Sequence, residues 1–157
     1  MIKTTRKHTE RGQSLVEFSL SAMLLVILLS GLLDLGRVYF TYVALEDAAG
    51  EAALYLSLNP SCKVDNGNPD CSDPNNAWWR ARHATGGTFE GLLDWDNPNP
   101  ANRPQIVPDL PTANAVGGKV FVTIKYDFPL VTPLIRNMAS GGKIPLQVEA
   151  RQTIVSE

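Results

Sequence analysis

The stretch that decides the fold of this chain, residues 11–35, reads RGQSLVEFSLSAMLLVILLSGLLDL. One carboxylate, Glu17, stands at the start of an otherwise uncharged apolar run from Phe18 to Leu33. As an α-helix that run rises about 24 Å, which is short of the roughly 30 Å hydrocarbon core of a bilayer. A membrane-spanning helix therefore starts at or before Glu17, and we place its membrane part at about residues 15–36.

The position of Glu17 predicts a charged partner. A carboxylate at a bilayer edge costs free energy unless a cation meets it. Cleavage between Gly12 and Gln13 would create an α-amino group four residues before Glu17. Residues i and i+4 share a helix face, so this amine reaches Glu17 within the same helix or in a neighbouring chain. The pattern indicates a membrane helix that is processed and then assembles.

Two other kinds of N-terminus carry an apolar run: a cleaved secretory signal and an uncut signal anchor. A secretory signal needs small residues at spaced positions just beyond Leu33, where the chain instead reads DLGR. A plain anchor predicts neither a glycine before the run nor an acid in its first turn. Gly12 and Glu17 therefore fit neither of these.

The same residues carry a resemblance to a known family. Gly12, Glu17 and Phe18 follow a basic leader, and the stretches RGQSLVEF, LDLGRVYF and ALEDAAGEAALY come next along the helix. Near the C-terminus VFVTIKYDFPLVTPL, a Gly-Gly turn and IPLQVEARQTIV follow in order. This arrangement resembles a type IV prepilin of the tight-adherence class, and the TadE-like pilin-related proteins in particular.

The resemblance implies a function and partners. It implies that a prepilin peptidase cuts between Gly12 and Gln13, and that Glu17 and Phe18 act in assembly with other pilin-like subunits and the pilus assembly machinery. The major pilin of such systems is far shorter, so it implies a minor subunit that acts in pilus assembly or adhesion. The alternative is a solitary membrane-anchored exported binding module that is neither processed nor assembled.

Charge is distributed unevenly along the chain. The first 12 residues contain four of the 14 Lys and Arg residues and one of the 16 Asp and Glu residues. The rest of the chain therefore carries a formal net charge of about −5. This disfavours nucleic acid or an anionic lipid surface as a partner, and membrane lipid is expected only as the partner of the apolar helix. Basic residues before the run and acids after it predict a single-pass cell-membrane protein with a cytoplasmic N-terminus and an extracytoplasmic C-terminal domain.

The resemblance implies a leader (1–12), and periodicity divides the rest of the chain into a long helix (13–57) and an exported head domain (58–157). Apolar residues continue at helical spacing beyond the membrane part, which predicts one helix from Ser14 to near Ser57, ended by Asn59-Pro60. They are Val38, Tyr42, Leu45, Ala49, Ala52 and Leu56. Alanines at 48, 49, 52 and 53 suit close packing, although ordinary helix propensity explains them equally well. Asp34 and Arg37 are predicted to pair.

The C-terminal half predicts a small sheet. Residues 120–128 alternate with one strongly apolar face, and 146–150 alternate again after a helical turn opened by Thr132-Pro133. Residues 105–110 are at best an edge strand because prolines remove backbone donors. The fold class is therefore α+β: a long N-terminal membrane-spanning helix that extends into a small exported domain with a short antiparallel sheet.

The loop between helix and sheet contains the only two cysteines, Cys62 and Cys71, with eight residues between them. In an exported domain this predicts a disulfide, and a metal site is the weaker interpretation. Asp73-Pro74 predicts the start of a short helix ended by Gly86-Gly87. Two adjacent residues of this helix, Trp78 and Trp79, point to different faces. This predicts that one lies in the core and the other at an interface.

The sequence offers no convergent set of residues for catalysis or cofactor binding. His8 lies in the leader and His83 stands alone, and no nucleotide-binding, zinc-protease or serine-hydrolase motif occurs. The acidic loop at 94–99 lacks the glycine and final glutamate of a calcium-binding EF-hand. We therefore expect no enzyme activity, no cofactor and no metal.

Overall fold

The computed structural model describes residues 9–84, 93–110, 116–138 and 140–155. Its longest element is helix α1, Thr9–Leu58. The others are helix α2 (Ala77–Arg82), strand β1 (Gln105–Asp109), strand β2 (Lys119–Pro129), helix α3 (Pro133–Met138) and strand β3 (Lys143–Thr153), with 3-10 turns at Pro69–Cys71, Pro100–Asn102 and Ser140–Gly142. The predicted α+β fold, with a long N-terminal helix and a small antiparallel sheet, is confirmed.

Helix α1 extends beyond the predicted bounds at both ends. It already includes Thr9 and passes through Gly12 without a break. One glycine costs a helix only about 1 kcal/mol relative to alanine, and the residues around it are good helix formers. At the other end the Asn59 N–H donates to the carbonyl of Tyr55 at 2.9 Å, and Pro60 stops the helix, within a residue of the predicted end.

The first half of α1 presents apolar side chains to the outside on all its faces, among them Leu15, Val16, Phe18, Leu20, Met23 and Leu24. The helix is long and apolar enough to cross a membrane. Two serine hydroxyls in this half bond back to the helix itself: Ser19 donates to the Leu15 carbonyl at 2.8 Å and Ser30 to the Ile27 carbonyl at 2.9 Å. These polar groups thus have partners without water, as a lipid environment requires.

The second half of α1 packs against the sheet. Its buried stripe consists of Thr41, Ala44, Leu45, Ala48, Ala49, Ala52, Ala53 and Leu56. The facing side of β2 is formed by Val120, Val122, Ile124, Tyr126 and Phe128, all of them buried as the alternation predicts. Small alanines allow the helix to approach the sheet closely, so packing explains the stripe better than propensity does.

The three strands form an antiparallel sheet in the order β1-β2-β3. Its two long strands run lengthwise along α1: at one end the Val155 N–H donates to the Ser57 carbonyl at 2.9 Å, and at the other the Thr132 N–H donates to Asp34 at 2.8 Å. The lengths match, since β2 spans about 33 Å and the helix from Asp34 to Ser57 about 35 Å. β1 lies at the edge, as its prolines predict.

The predicted disulfide between Cys62 and Cys71 is present, with 5.0 Å between the two Cα atoms. It holds the polar loop to the start of α2, where the Ala77 N–H donates to the Cys62 carbonyl at 3.0 Å. The N-cap of α2 is Asn76, which accepts the Trp79 N–H. The prediction that Asp73-Pro74 opens this helix was wrong, because the asparagine three residues later provides the capping oxygen. The helix ends at Arg82, before the predicted end at Gly86-Gly87, which itself lies outside the described residues.

The two tryptophans also differ from the prediction. Ala77 and Ala81 form the buried face of α2, whereas Trp78 and Trp79 are both partly exposed. The Trp79 ring stacks on His83 with 4.0 Å between ring centroids. The prediction that one tryptophan enters the core was wrong because two small side chains already fill the contact with α1.

Candidate assembly site and helix–head junction

The first candidate site lies on the exposed N-terminal turns of α1. The Gln13 side-chain amide donates to the Glu17 carboxylate at 3.0 Å, which shows that the four-residue spacing places both on one helix face. A Cβ added at Gly12 would meet nothing within 4 Å, so the position has room for a side chain. Phe18 is 72% exposed beside this pair.

The chemistry of this site depends on the state of Gln13. In the intact chain Glu17 has a neutral amide as its partner. A cut before Gln13 would convert that residue's peptide nitrogen into an ammonium on the same helix face. A charged partner attracts the carboxylate far more strongly where water is excluded, although desolvation cancels much of the gain. The structure thus places the carboxylate and the nitrogen of residue 13 four residues apart on one helix.

The second site is the junction where the head meets α1. The Asp34 carboxylate accepts the Thr132 N–H at 2.8 Å, and the Thr132 hydroxyl donates to the Ser30 carbonyl at 3.2 Å. Asp34 is only 4% exposed. Its predicted partner Arg37 lies 3.5 Å away, so that ion pair is confirmed. The contact with Thr132 was not predicted, because 98 residues separate the two positions and no local pattern joins them.

Apolar packing completes the junction. A Cβ on Gly31 would lie 3.2 Å from the Cδ1 atom of Ile135, so α3 sits close against the helix backbone there. The Arg37 guanidinium lies over the Phe128 ring, 5.1 Å from its centroid. The head thus contacts α1 from Ser30 upward, at the top of the apolar run.

The polar side chains of the acidic loop at 94–99 bond to other groups of the protein. Asp96 pairs with Arg82, and the Asn97 amide donates to Asp94 at 2.8 Å. Asn99 accepts the Ala101 N–H at 3.0 Å. Within the described ranges, no group of three or more His, Cys, Asp or Glu side chains is arranged to hold a metal ion.

One tyrosine in the core has a shifted pKa. Burial raises the pKa of the Tyr126 phenol, because the charged form loses its hydration, and the Asp94 carboxylate raises it further. Tyr126 faces α1 from the middle of the sheet. Its titration therefore reports on the integrity of the helix–sheet contact.

Comparison with known families agrees with this geometry. Residues 12–54 match the model of the TadE-like protein family, which confirms the resemblance over the long helix, whereas the C-terminal stretches that also suggested it lie outside the match. The match begins at Gly12, includes Glu17 and Asp34, and ends within the stripe that packs on the sheet. It associates this part of the chain with pilus-related tight-adherence systems. Neither curated proteins nor solved structures gave a significant match.

Proposed function

We propose that this protein is a minor pilin-like subunit of a tight-adherence type IV pilus, trimmed by a prepilin peptidase between Gly12 and Gln13. One observation carries the proposal: Gln13 and Glu17 share a helix face at the start of a half-helix whose large apolar side chains are mostly exposed. A soluble protein would bury such a surface, whereas a membrane or a bundle of like helices covers it.

The proposed path has two stages. The chain first inserts with its basic leader in the cytoplasm and its head outside, as a single-pass membrane protein. After cleavage, the new amine of Gln13 pairs with a Glu17 carboxylate, and this pair sets the height of one subunit against the next. Pilin-like subunits and the assembly machinery are the partners, and the head remains available for assembly or adhesion.

The proposed role is structural, not enzymatic. Register accounts for Glu17, and docking of the head accounts for Asp34 and Arg37, so the proposal uses none of them as an acid or base. The second candidate is a solitary membrane-anchored exported module. It predicts an uncut chain, in which Glu17 keeps the Gln13 side-chain amide as its partner.

Processing separates the two candidates. The full chain is produced with an active and with an inactivated prepilin peptidase, extracted from the membrane and weighed intact. We expect the product of active cells to lack residues 1–12, and the Gly12→Val variant to stay uncut. Gly36→Val is the matched control, since Gly36 also has open space at its Cβ position. A wild-type chain that keeps Met1 beside an active peptidase would refute the proposal.

A further inference from the structure

We infer that the tip of the head, defined as residues 129–135, inserts into the head-side interface of the bilayer and contacts phospholipid. The inference rests on the membrane anchoring in the proposed function and adds a second lipid contact to it. It concerns the subunit in the membrane, before any filament forms.

The depth of the tip follows from the helix. A membrane span of about 30 Å that begins at Leu15 ends near Leu35, about 6 Å above Gly31. The tip is held at that level by two contacts: Thr132 bonds to the Ser30 carbonyl, and Ile135 packs on Gly31. The lowest part of the head therefore lies at or below the edge of the hydrocarbon region.

The composition of the tip suits that depth. Its sequence, PLVTPLI, is uncharged, and the third residue, Val131, is 66% exposed. Pro129 and Pro133 have no N–H to satisfy. The N–H groups of Leu130 and Thr132 both donate within the protein, at 3.1 and 2.8 Å. Backbone donors with internal partners are what a low-dielectric environment demands.

An exposed cation near the tip complements phosphate. Residues 128–148 contain Arg136 and Lys143 and no acid. The Lys143 ammonium donates to Asn102 at 2.7 Å, and the acid that contacts the tip, Asp34, is buried and paired with Arg37. Arg136 is exposed on α3 directly after the tip. On α1, about 6 Å above Leu35, the rings of Tyr39 and Phe40 are exposed and touch edge to face, 6.1 Å between centroids. Aromatic rings and cations at this height are typical of the headgroup layer.

A fluorescent probe on the exposed valine tests the inference. Because the native cysteines are bridged, Val131→Cys supplies a single reactive thiol for an environment-sensitive dye. Val107→Cys is the matched control: it is also exposed, and it lies on β1 opposite Thr123, about 20 Å further from the membrane along the sheet. The full chain is reconstituted into phosphatidylethanolamine–phosphatidylglycerol vesicles with ordinary or brominated acyl chains.

We expect the dye at position 131 to shift to the blue and to lose most of its emission in brominated vesicles, while the dye at 107 is quenched only by aqueous iodide. Equal iodide quenching at both positions, in protein that floats with the vesicles, would overturn the inference and leave the anchor intact. Protein that does not float would overturn the anchor as well. If position 131 is shielded from iodide only in assembled filaments, the tip contacts a neighbouring subunit. That result would overturn the lipid contact.

Discussion

Replacing Asp34 by alanine tests the junction between the helix and the head. The change removes the acceptor of the buried Thr132 N–H, whose bond to the carboxylate measures 2.8 Å. A hydrogen bond to a charged group contributes about 1.5 to 3 kcal/mol, and the half-exposed Arg37 adds well under 1 kcal/mol. We expect Asp34→Ala to destabilise the docked head by about 2 kcal/mol, which corresponds to about a 30-fold rise in the open population.

Hydrogen exchange at the Thr132 amide, measured on the full chain in detergent micelles, reports that opening directly. Asp47→Ala is the matched control, since Asp47 lies on the exposed face of the same helix and gains the same helix propensity. It should change stability by no more than about 0.5 kcal/mol. Asp34→Asn keeps an acceptor and should recover part of the loss. Equal exchange rates in the Asp34→Ala and Asp47→Ala proteins would refute the role of Asp34.

Two further predictions concern the head domain. In freshly isolated protein Cys62 and Cys71 should resist alkylation until a reductant is added, and replacing both by serine should cost about 2 to 3 kcal/mol in urea unfolding, since the bridge closes a short loop; thiols that react without reductant would contradict this. Because its pKa is raised on folding, Tyr126 should contribute stability that is complete below about pH 10 and lost as the pH rises through the folded-state pKa. The Tyr126→Phe protein should lack this component, and an identical alkaline loss in both proteins would contradict the burial of the phenol.

Regular patterns in the sequence predict the long elements of this fold. The 3.6-residue period places Leu45 and Leu56 on the buried stripe, and the two-residue period places Val122 and Ile124 on the inner face of β2. Each helix or strand must bury one of its faces, so each pattern is visible within a single element. The α3 turn between the long strands is predicted by a different local signal, Thr132-Pro133, which is typical of a helix start.

Such local patterns do not predict contacts between segments that are distant in sequence. The spacing of Asp34 and Arg37 predicts their ion pair, whereas the bond from Thr132 to Asp34 depends on how the sheet lies along the helix. The cap of α2 shows a different limit: Asp73 and Asn76 both carry a capping oxygen, and local propensity does not rank them. Within the assembly site, the shared face of Gln13 and Glu17 follows directly from helix geometry.

The most direct test of the account is the effect of Glu17 on pilus output. Glu17→Gln keeps the size of the side chain and removes the charge that would meet the Gln13 amine, so insertion should be preserved while assembly falls. Glu46→Gln, an exposed carboxylate higher on the same helix, is the matched control and should assemble normally. We predict that cells with Glu17→Gln contain the processed subunit at normal levels and make few or no pili. Normal pili in those cells would contradict an assembly role for this carboxylate.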